Sequence, residues 1–226
     1  MKKIFTSTLS IVLFAILSIF HTSVNAQAFK KGALLISLSE GSTLANYSTN
    51  DIGGPKPTLI HSECIHGDRD PIIIEYAVSN RWGLGLTSGN DVFNVNPSTY
   101  YGFSTSNNLI KMKTSEFTFD CSYHVFVNKR LDLSVFASAG LFSIATKGND
   151  YDRSYQYNSN GTTARYGTRV RYYFYKRFGA FGMISNYFAS SSPKDVQGNS
   201  VGKTYSTSIN GIAIEGGLCY RINFFK

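Results

Sequence analysis

The feature that most constrains the fold of this chain is a period-two alternation of apolar with polar or small residues. Between Leu131 and Ala145, for example, Leu133 and Val135 alternate with Asp132 and Ser134. Successive side chains of a β-strand point to opposite faces, so the pattern predicts strands with one apolar and one polar face. Eight such segments occur: Lys31 to Glu40, Pro71 to Ser79, Trp82 to Gly89, Lys113 to Val127, Leu131 to Ala145, Thr162 to Tyr175, Gly179 to Ala189 and Tyr205 to Phe225.

The connections between these segments are alternately short and long. Short connections lie near 80–81, 128–130 and 176–178, and long ones run over 41–70, 90–112, 146–161 and 190–204. Outer-membrane barrels join their strands in this way, with the long loops outside the cell. The sequence therefore predicts an all-β fold, a closed eight-stranded antiparallel up-and-down transmembrane β-barrel. An extra hairpin around Thr58 to Ile65 would raise the strand number to ten.

The first 28 residues have the features of a secretory signal peptide. A positive start at Lys2 and Lys3 precedes a short apolar run, and Ala26 and Ala28 offer a cleavage site near 26–28. We expect residues 1–28 to be the signal peptide and residues 29–226 to form the barrel domain in the bacterial outer membrane. After the signal, no apolar run approaches the ~20 residues that a membrane-spanning helix needs.

Composition favours a barrel with a large apolar exterior. Charged residues make up 16% of the chain, which also holds 15 Tyr and 17 Phe; a typical soluble domain is about 25% charged. The formal charge is +8, and it falls to +6 once Lys2 and Lys3 leave with the signal. For an exported chain, we expect this charge to attract outer-membrane lipid or lipopolysaccharide rather than nucleic acid.

Charged residues on the polar faces of the predicted strands nearly balance. They comprise five acids and four arginines: Glu75, Glu116, Asp120, Asp132, Glu215, Arg165, Arg169, Arg171 and Arg221. An eight-stranded barrel has an interior just wide enough for side chains, and a buried charge needs a partner. We therefore expect an interior charge network that plugs the barrel. In the alternative, a soluble lipocalin-like carrier, the apolar face would point inward instead.

Two hairpin sequences resemble those of a known family. Val78-Ser-Asn-Arg-Trp-Gly-Leu-Gly-Leu86 resembles the second hairpin of that family at its periplasmic turn, and Arg171-Tyr-Tyr-Phe-Tyr-Lys-Arg-Phe-Gly179 resembles its third short turn. The whole chain after the signal is similar to the small outer-membrane β-barrels related to OmpX and to the OmpA transmembrane domain, in the style of Bacteroidetes barrel proteins. The resemblance implies an outer-membrane barrel and leaves its activity open.

The end of the chain resembles the insertion signal read by the barrel-assembly machinery. That signal has the form polar-x-Gly-x-x-aromatic-x-hydrophobic, and Glu215, Gly217, Tyr220 and Ile222 occupy those places. The resemblance implies that the barrel-assembly machinery is a partner during insertion. Aromatic residues near strand ends also fit the girdles found at membrane interfaces. They are Trp82, Phe174, Tyr175, Phe178, Tyr220 and Phe224.

No constellation predicts a catalytic, cofactor-binding or metal-binding residue. His61, Cys64, His66, Asp68 and Asp70 cluster in the first long connection, but their spacing matches no standard zinc site. To act as a general base, His124 would need a serine or an acid from another strand. The three cysteines are far apart and odd in number, so they indicate no disulfide framework.

The sequence is most consistent with a non-enzymatic barrel that presents long extracellular loops for surface adhesion or envelope integrity. Several loop tyrosines suit such a recognition surface. Three alternatives remain open: a lipid-modifying outer-membrane enzyme that uses His124, a narrow channel lined by Arg165, Arg169 and Arg171, and the soluble lipocalin-like carrier.

Overall fold

A computed structural model describes residues 28–53, 55–95, 110–150, 153–192, 194–195 and 204–224. They form ten β-strands: β1 (Ala33–Asp51), β2 (Thr58–Arg69), β3 (Ile72–Ala77), β4 (Trp82–Val95), β5 (Ile110–Val127), β6 (Leu131–Asp150), β7 (Arg153–Tyr173), β8 (Phe178–Ser191), β9 (Lys194–Asp195) and β10 (Thr204–Asn223). Within these ranges, no helix is long and apolar enough to cross a membrane.

The strands form one antiparallel sheet that closes on itself. Along the wall the order is β1, β3, β4, β5, β6, β7, β8 and β10, and β10 then pairs with β1 over the full length from Ala33 to Asp51. Strand β2 continues the line of β3, because both pair with β1 on one side and β4 on the other. The wall therefore has eight strands, as predicted, and the additional hairpin around Thr58 to Ile65 is absent from it.

The interruption between β2 and β3 is caused by Pro71. Proline has no backbone N–H, so it cannot donate to the ladder of a central strand. The wall is nevertheless closed there, because Ser39 N donates to the carbonyl oxygen of Pro71 at 3.2 Å and Asp70 N donates to that of Asn90 at 3.1 Å. Residues 70–71 are thus a local irregularity in one long wall strand.

The two ends of the barrel differ. At one end, called the turn end, the chain enters at 28–32, turns at 78–81, 128–130 and 174–177, and leaves at Phe224. We call the opposite end the loop end. Short turns and both termini lie on the periplasmic side of outer-membrane barrels, which orients the turn end toward the periplasm.

The prediction of four long connections was partly wrong, because the strands extend well into them. Strand β1 continues to Asp51 and β2 begins at Thr58, so the first connection covers 52–57 instead of 41–70. In the same way, β6 and β7 stay paired along their length. The first pair is Leu131 with Tyr172, and the last is Asp150 with Arg153. A strand of 20 residues extends about 66 Å, roughly twice what a tilted span of 9–11 residues needs.

The outer surface of the wall nearest the turn end is apolar. We call this zone the lipid belt. Its members include Leu38, Ile72, Ile74, Tyr76, Leu84, Leu86, Phe117, Phe119, Val135, Leu141, Tyr166, Val170, Tyr172, Ile184, Phe188, Ile212, Ile214 and Leu218, all exposed. So large an apolar surface is unfavourable in water and favourable against acyl chains. The soluble lipocalin-like alternative is therefore wrong, since it requires this face to point inward.

Above the lipid belt the polarity of the two faces reverses. Here most outward residues of the wall are polar, such as Asn46, Ser190 and Asn210, with Leu44 and Leu59 as exposed exceptions, whereas Tyr47 and Phe93 are buried inside. We call this part the outer tier; it comprises 42–51, 58–69, 88–95, 110–115, 143–150, 153–162, 190–192 and 204–211. Polar outside and apolar inside is the arrangement of a water-soluble barrel. The outer tier therefore stands in water beyond the membrane.

Candidate functional site

The candidate site is the barrel interior, which is layered along its length. A turn-end cluster of apolar side chains contains Phe29, Leu35, Ile73, Tyr173 and Phe181. A loop-end cluster within the outer tier contains Tyr47, Phe93, Met112, Phe142, Tyr157, Tyr187 and Tyr205. The buried charged residues lie between the two clusters and, toward the turn end, among the apolar side chains, because Glu75 pairs in register with Leu35 and Arg171 with Phe181. The interior is thus filled with side chains along its length.

Arg69 organises the half of the charged layer nearer the loop end. It is the last residue of β2, immediately before the interruption at Pro71, and its side chain is fully buried. Its guanidinium donates to Asp91 at 2.8 and 2.9 Å, to Glu215 at 2.9 Å, and also to Glu116. One arginine thereby joins carboxylates from β4, β5 and β10 across the lumen.

Arg165, on β7, completes this group from the opposite wall. It donates to Glu116 at 3.3 Å, to the hydroxyl of Ser185 at 2.8 Å, and to Glu215. Glu116 and Glu215 therefore each lie between Arg69 and Arg165. These shared carboxylates link four strands. Removal of either arginine would leave part of their negative charge unpaired in a dry interior.

Glu75, on β3, organises the half nearer the turn end. It accepts from Arg169 at 3.2 Å and also from Arg171 and from the hydroxyl of Ser122. Arg171 reaches on to Asp132 at 3.1 Å. The guanidinium of Arg169 also lies 4.9 Å from the centroid of the Phe136 ring, a distance at which a cation–π attraction contributes.

His124 joins the same group through both of its ring nitrogens. Nε2 lies 3.0 Å from Glu75 Oε1, and Nδ1 lies 2.6 Å from Asp132 Oδ1. Ionised carboxylates only accept hydrogen bonds, so both ring nitrogens must carry a proton. The ring is therefore an imidazolium, and it is stacked on Phe29 with a centroid separation of 3.4 Å.

The two remaining members of the predicted network are placed differently. Asp120 accepts from the hydroxyls of Thr87 and Thr118, and forms no ion pair among the described residues. Arg221 lies near the turn end, where it donates to the carbonyl oxygen of Lys176 at 2.8 Å and packs over the ring of Tyr173. Both side chains are buried, but neither belongs to the two ion-paired groups.

Sequence reasoning missed Arg69 and Asp91, which it placed in long loops. With them, the buried set holds six carboxylates and five arginines, and the His124 imidazolium supplies a sixth positive charge. The alternation of Ile65, Gly67 and Arg69 with polar outward residues was the available signal. This alternation was hidden because the polar face of β2 points outward, whereas in the lipid belt the apolar face points outward.

Ser122, His124 and Asp132 have the order of contacts of a catalytic triad, but not its function. Ser122 Oγ lies 3.4 Å from His124 Nε2, yet its hydroxyl donates to Glu75 instead. All three side chains are almost completely buried, with Phe29 stacked on the imidazole. A nucleophile needs a free path to substrate and a base that takes its proton, and this arrangement provides neither.

Ser200 lies in Gly198-Asn-Ser-Val-Gly202, which has the G-x-S-x-G spacing. That motif acts at a strand-to-helix turn of the α/β-hydrolase fold. Ser200 lies outside the described residues, and the described part of the chain contains strands and turns only. The spacing alone therefore does not support hydrolase chemistry.

The possible metal ligands that cluster in the sequence over 61–70 are dispersed along a strand. Cys64, His66 and Asp68 lie on the outward face of β2, and His66 Nε2 bonds to the hydroxyl of Ser42 at 2.5 Å. Among the described residues, no group of three His, Cys, Asp or Glu side chains could hold a metal ion.

The residues matched to the insertion signal have structural contacts of their own. Glu215 is in the ion-paired layer, Gly217 packs against the backbone of β1, and Tyr220 packs on Phe178 with ring centroids 4.7 Å apart. Ile222 faces outward at the turn end. Recognition of these residues by the assembly machinery stays a prediction.

Comparison of the chain with protein-family models finds no match, and comparison with curated proteins finds none either. Solved structures do match. The outer membrane protein OprG from Pseudomonas aeruginosa aligns with a TM-score of 0.54 and 12% identity, over 89% of this chain and 100% of OprG. The chain has the fold of a small outer-membrane β-barrel. Together with the lipid belt, this fold places it in the bacterial outer membrane.

Two further solved structures also match. AlkL, solved in lipid bilayers, aligns with a TM-score of 0.53 and 11% identity, over 91% of this chain and 97% of AlkL. The outer membrane protease OmpT from Escherichia coli aligns more loosely, with a TM-score of 0.45 and 10% identity, over 90% and 100%. At these identities the likeness establishes the fold alone.

Proposed function

We propose that this protein is a non-enzymatic surface-interaction protein that uses its barrel as a sealed support for the outer tier and its loops. Adhesion to an external partner is the activity, and the interior charge network is structural. The observation that carries the proposal is the reversal of polarity above the lipid belt. It gives the protein a rigid, water-exposed wall on the extracellular side.

The sealed interior supports this proposal over a channel. A channel needs a continuous polar path, whereas here apolar clusters occupy the lumen toward both ends and the charged groups between and beside them are ion-paired. Arg165, Arg169 and Arg171 do align along β7, but each is paired with carboxylates across the lumen. Ions would have to break these pairs and pass both clusters.

One side of the outer tier offers a surface suited to binding. Beyond the exposed Leu44, the outward residues across β1, β10, β8 and β7 and directly after β8 include the uncharged amides and hydroxyls Asn46, Ser48, Asn50, Ser206, Ser208, Asn210, Ser190, Ser192, Asn158, Asn160 and Thr162. We call this the amide–hydroxyl face. Such groups donate and accept hydrogen bonds without the desolvation cost of ions. They match the hydroxyls of carbohydrates and the backbone of extended polypeptides.

The test is binding of the protein in nanodiscs to an array of glycans and extracellular-matrix proteins. Empty nanodiscs supply the background. Replacing Ser48 and Asn210 together with Lys places two charges on the amide–hydroxyl face. We expect this variant to bind at least about tenfold more weakly, since a disrupted interface centre commonly costs more than 1 kcal/mol.

The matched control carries the same two charges on the opposite side of the outer tier. Ser115→Lys with Asn94→Lys changes outward positions on β5 and β4, and we expect parental binding. A parent protein that binds no better than empty nanodiscs would contradict the proposal. Equal loss in both double variants would also contradict it, because the amide–hydroxyl face would then have no special role.

A further inference from the structure

The net positive charge of the barrel is concentrated at the turn end. The turn-end segments 28–32, 78–81, 128–130 and 174–177 contain seven basic residues and no Asp or Glu. The seven are Lys30, Lys31, Arg81, Lys129, Arg130, Lys176 and Arg177, and we call them the basic rim. All are exposed except Arg130, which is half-buried. The whole chain without its signal carries +6, so the rim accounts for the net charge and the remainder is close to neutral.

The interior and the outer tier are each close to neutral. Inside, six carboxylates face five arginines and His124. In the outer tier, basic residues such as Lys111 and Lys113 are interspersed with acids such as Asp51 and Asp68. A surface facing lipopolysaccharide would be expected to carry the positive charge, but the structure puts that charge at the opposite end.

The basic rim is positioned at the level of lipid headgroups. It adjoins an aromatic girdle at the edge of the lipid belt, where Trp82 packs on Tyr123 with ring centroids 4.9 Å apart. Arg81 donates to the hydroxyl of Tyr123 at 3.0 Å, and Arg177 donates to that of Tyr220 at 3.5 Å. Trp and Tyr rings mark the headgroup level of a membrane. The cations beside them therefore meet phosphate groups.

The rim also retains charge that no acid among the described residues neutralises. Among the described residues, none of its seven members forms an ion pair, whereas the buried arginines Arg69, Arg165, Arg169 and Arg171 all do. Seven like charges around a small barrel repel one another. An anionic partner at this level would relieve that repulsion.

We propose that the basic rim binds anionic phospholipid headgroups, such as phosphatidylglycerol, in the periplasmic leaflet of the outer membrane. The rim selects these lipids from the zwitterionic ones around the barrel. It also holds the turn end at a fixed depth, with the aromatic girdle among the headgroups and the outer tier above the opposite leaflet.

The test uses Trp82, which is the only tryptophan of the chain. The protein is reconstituted in phosphatidylcholine vesicles that contain a small fraction of brominated phosphatidylglycerol or brominated phosphatidylcholine. Bromine quenches tryptophan only at contact, so quenching reports which lipid lies beside the rim. We expect about a fivefold preference for phosphatidylglycerol, the factor that one basic side chain near an anionic surface contributes.

A rim variant and a matched control decide between interpretations. The rim variant combines Lys31→Gln, Arg81→Gln and Lys129→Gln and removes three rim charges, so its preference for phosphatidylglycerol should fall to about one. The control variant combines Lys56→Gln, Lys111→Gln and Lys113→Gln. It removes three charges elsewhere and should leave the preference unchanged. High salt should weaken the preference of the parent protein, which tests the proposal even if the rim variant fails to fold.

Three results would overturn the proposal. They are equal quenching of the parent by both lipids, a preference that survives in the rim variant and in high salt, and a preference lost only in the control variant. Equal quenching combined with rim-dependent sedimentation on isolated peptidoglycan would assign the basic rim to the cell wall instead.

Discussion

Replacing Glu75 with Gln is expected to lower the free energy of unfolding by about 3–5 kcal/mol, the range found when one partner of a buried ion pair is removed. The substitution preserves shape and volume, so it creates no cavity. It deprives Arg169, Arg171 and the His124 imidazolium of a shared negative charge. The measurement is equilibrium unfolding by denaturant in lipid vesicles, followed by Trp82 fluorescence.

Glu40→Gln is the matched control for Glu75→Gln. Glu40 lies on the outward face of β1 and is exposed, so the same change there should alter stability by no more than about 0.5 kcal/mol. Comparable losses in the two variants would mean that the interior charges are solvated. The description of a sealed, ion-paired layer would then be wrong.

Gly161→Ala is expected to cost about 3 kcal/mol or to prevent folding, because overpacking against a rigid wall typically costs 1–3 kcal/mol and occasionally more. Gly161 is on β7 at an inward position, paired with Ser191 of β8. A Cβ there would overlap the carbonyl oxygen of Ser190 and lie 2.7 Å from Ser191 Cα. Both are backbone atoms of β8, so neither can rotate away.

Gly182→Ala tests whether this cost comes from the close approach or from the loss of any strand glycine. A Cβ at Gly182 would have the carbonyl oxygen of Glu215 as its nearest neighbour, at 4.0 Å. It therefore fits without movement, and replacing a strand glycine should be neutral or slightly stabilising. Heat-modifiability on cold denaturing gels measures both variants. A compact, fully shifted Gly161→Ala protein would contradict the predicted overlap.

The number and pairing of the strands could be predicted because the lipid belt imposes one simple rule. Lipid requires an apolar outward face, and the narrow lumen collects polar groups, so residues such as Phe117 and Glu116 alternate clearly. The nine residues predicted from this rule are all buried in the lumen, and seven of them form ion pairs.

The outer tier could not be predicted from that rule, because its two faces exchange roles at the edge of the lipid belt. Tyr47 and Ile65 point inward there, and Ser48 and Cys64 point outward. A search for apolar-outward strands ends where the polarity reverses and assigns the remainder to loops. Arg69 and Asp91 were missed for this reason.

His124 illustrates a different limit. Its period-two position placed it on the polar face, but its role depends on Glu75, which is distant in sequence, on Asp132 across the β5–β6 turn, and on Phe29 from the N-terminal segment. Phe29 reaches the lumen because Gly32 has a φ of 81°, a left-handed conformation that glycine adopts at little cost. This turn brings the N-terminal segment inside the barrel before β1 begins.

The reversal of polarity is tested most directly by the three cysteines, all of which have free thiols. Cys64 is exposed on the outer tier, Cys121 is on the outward face within the lipid belt, and Cys219 is buried in the lumen. Variants that each retain one of them, such as Cys121→Ser with Cys219→Ser, are treated in intact cells with a membrane-impermeant maleimide. The structure predicts rapid labelling of Cys64 alone, with Cys121 and Cys219 labelled only after denaturation. Labelling of Cys121 as fast as that of Cys64, or of Cys64 only after the outer membrane is permeabilised, would contradict it.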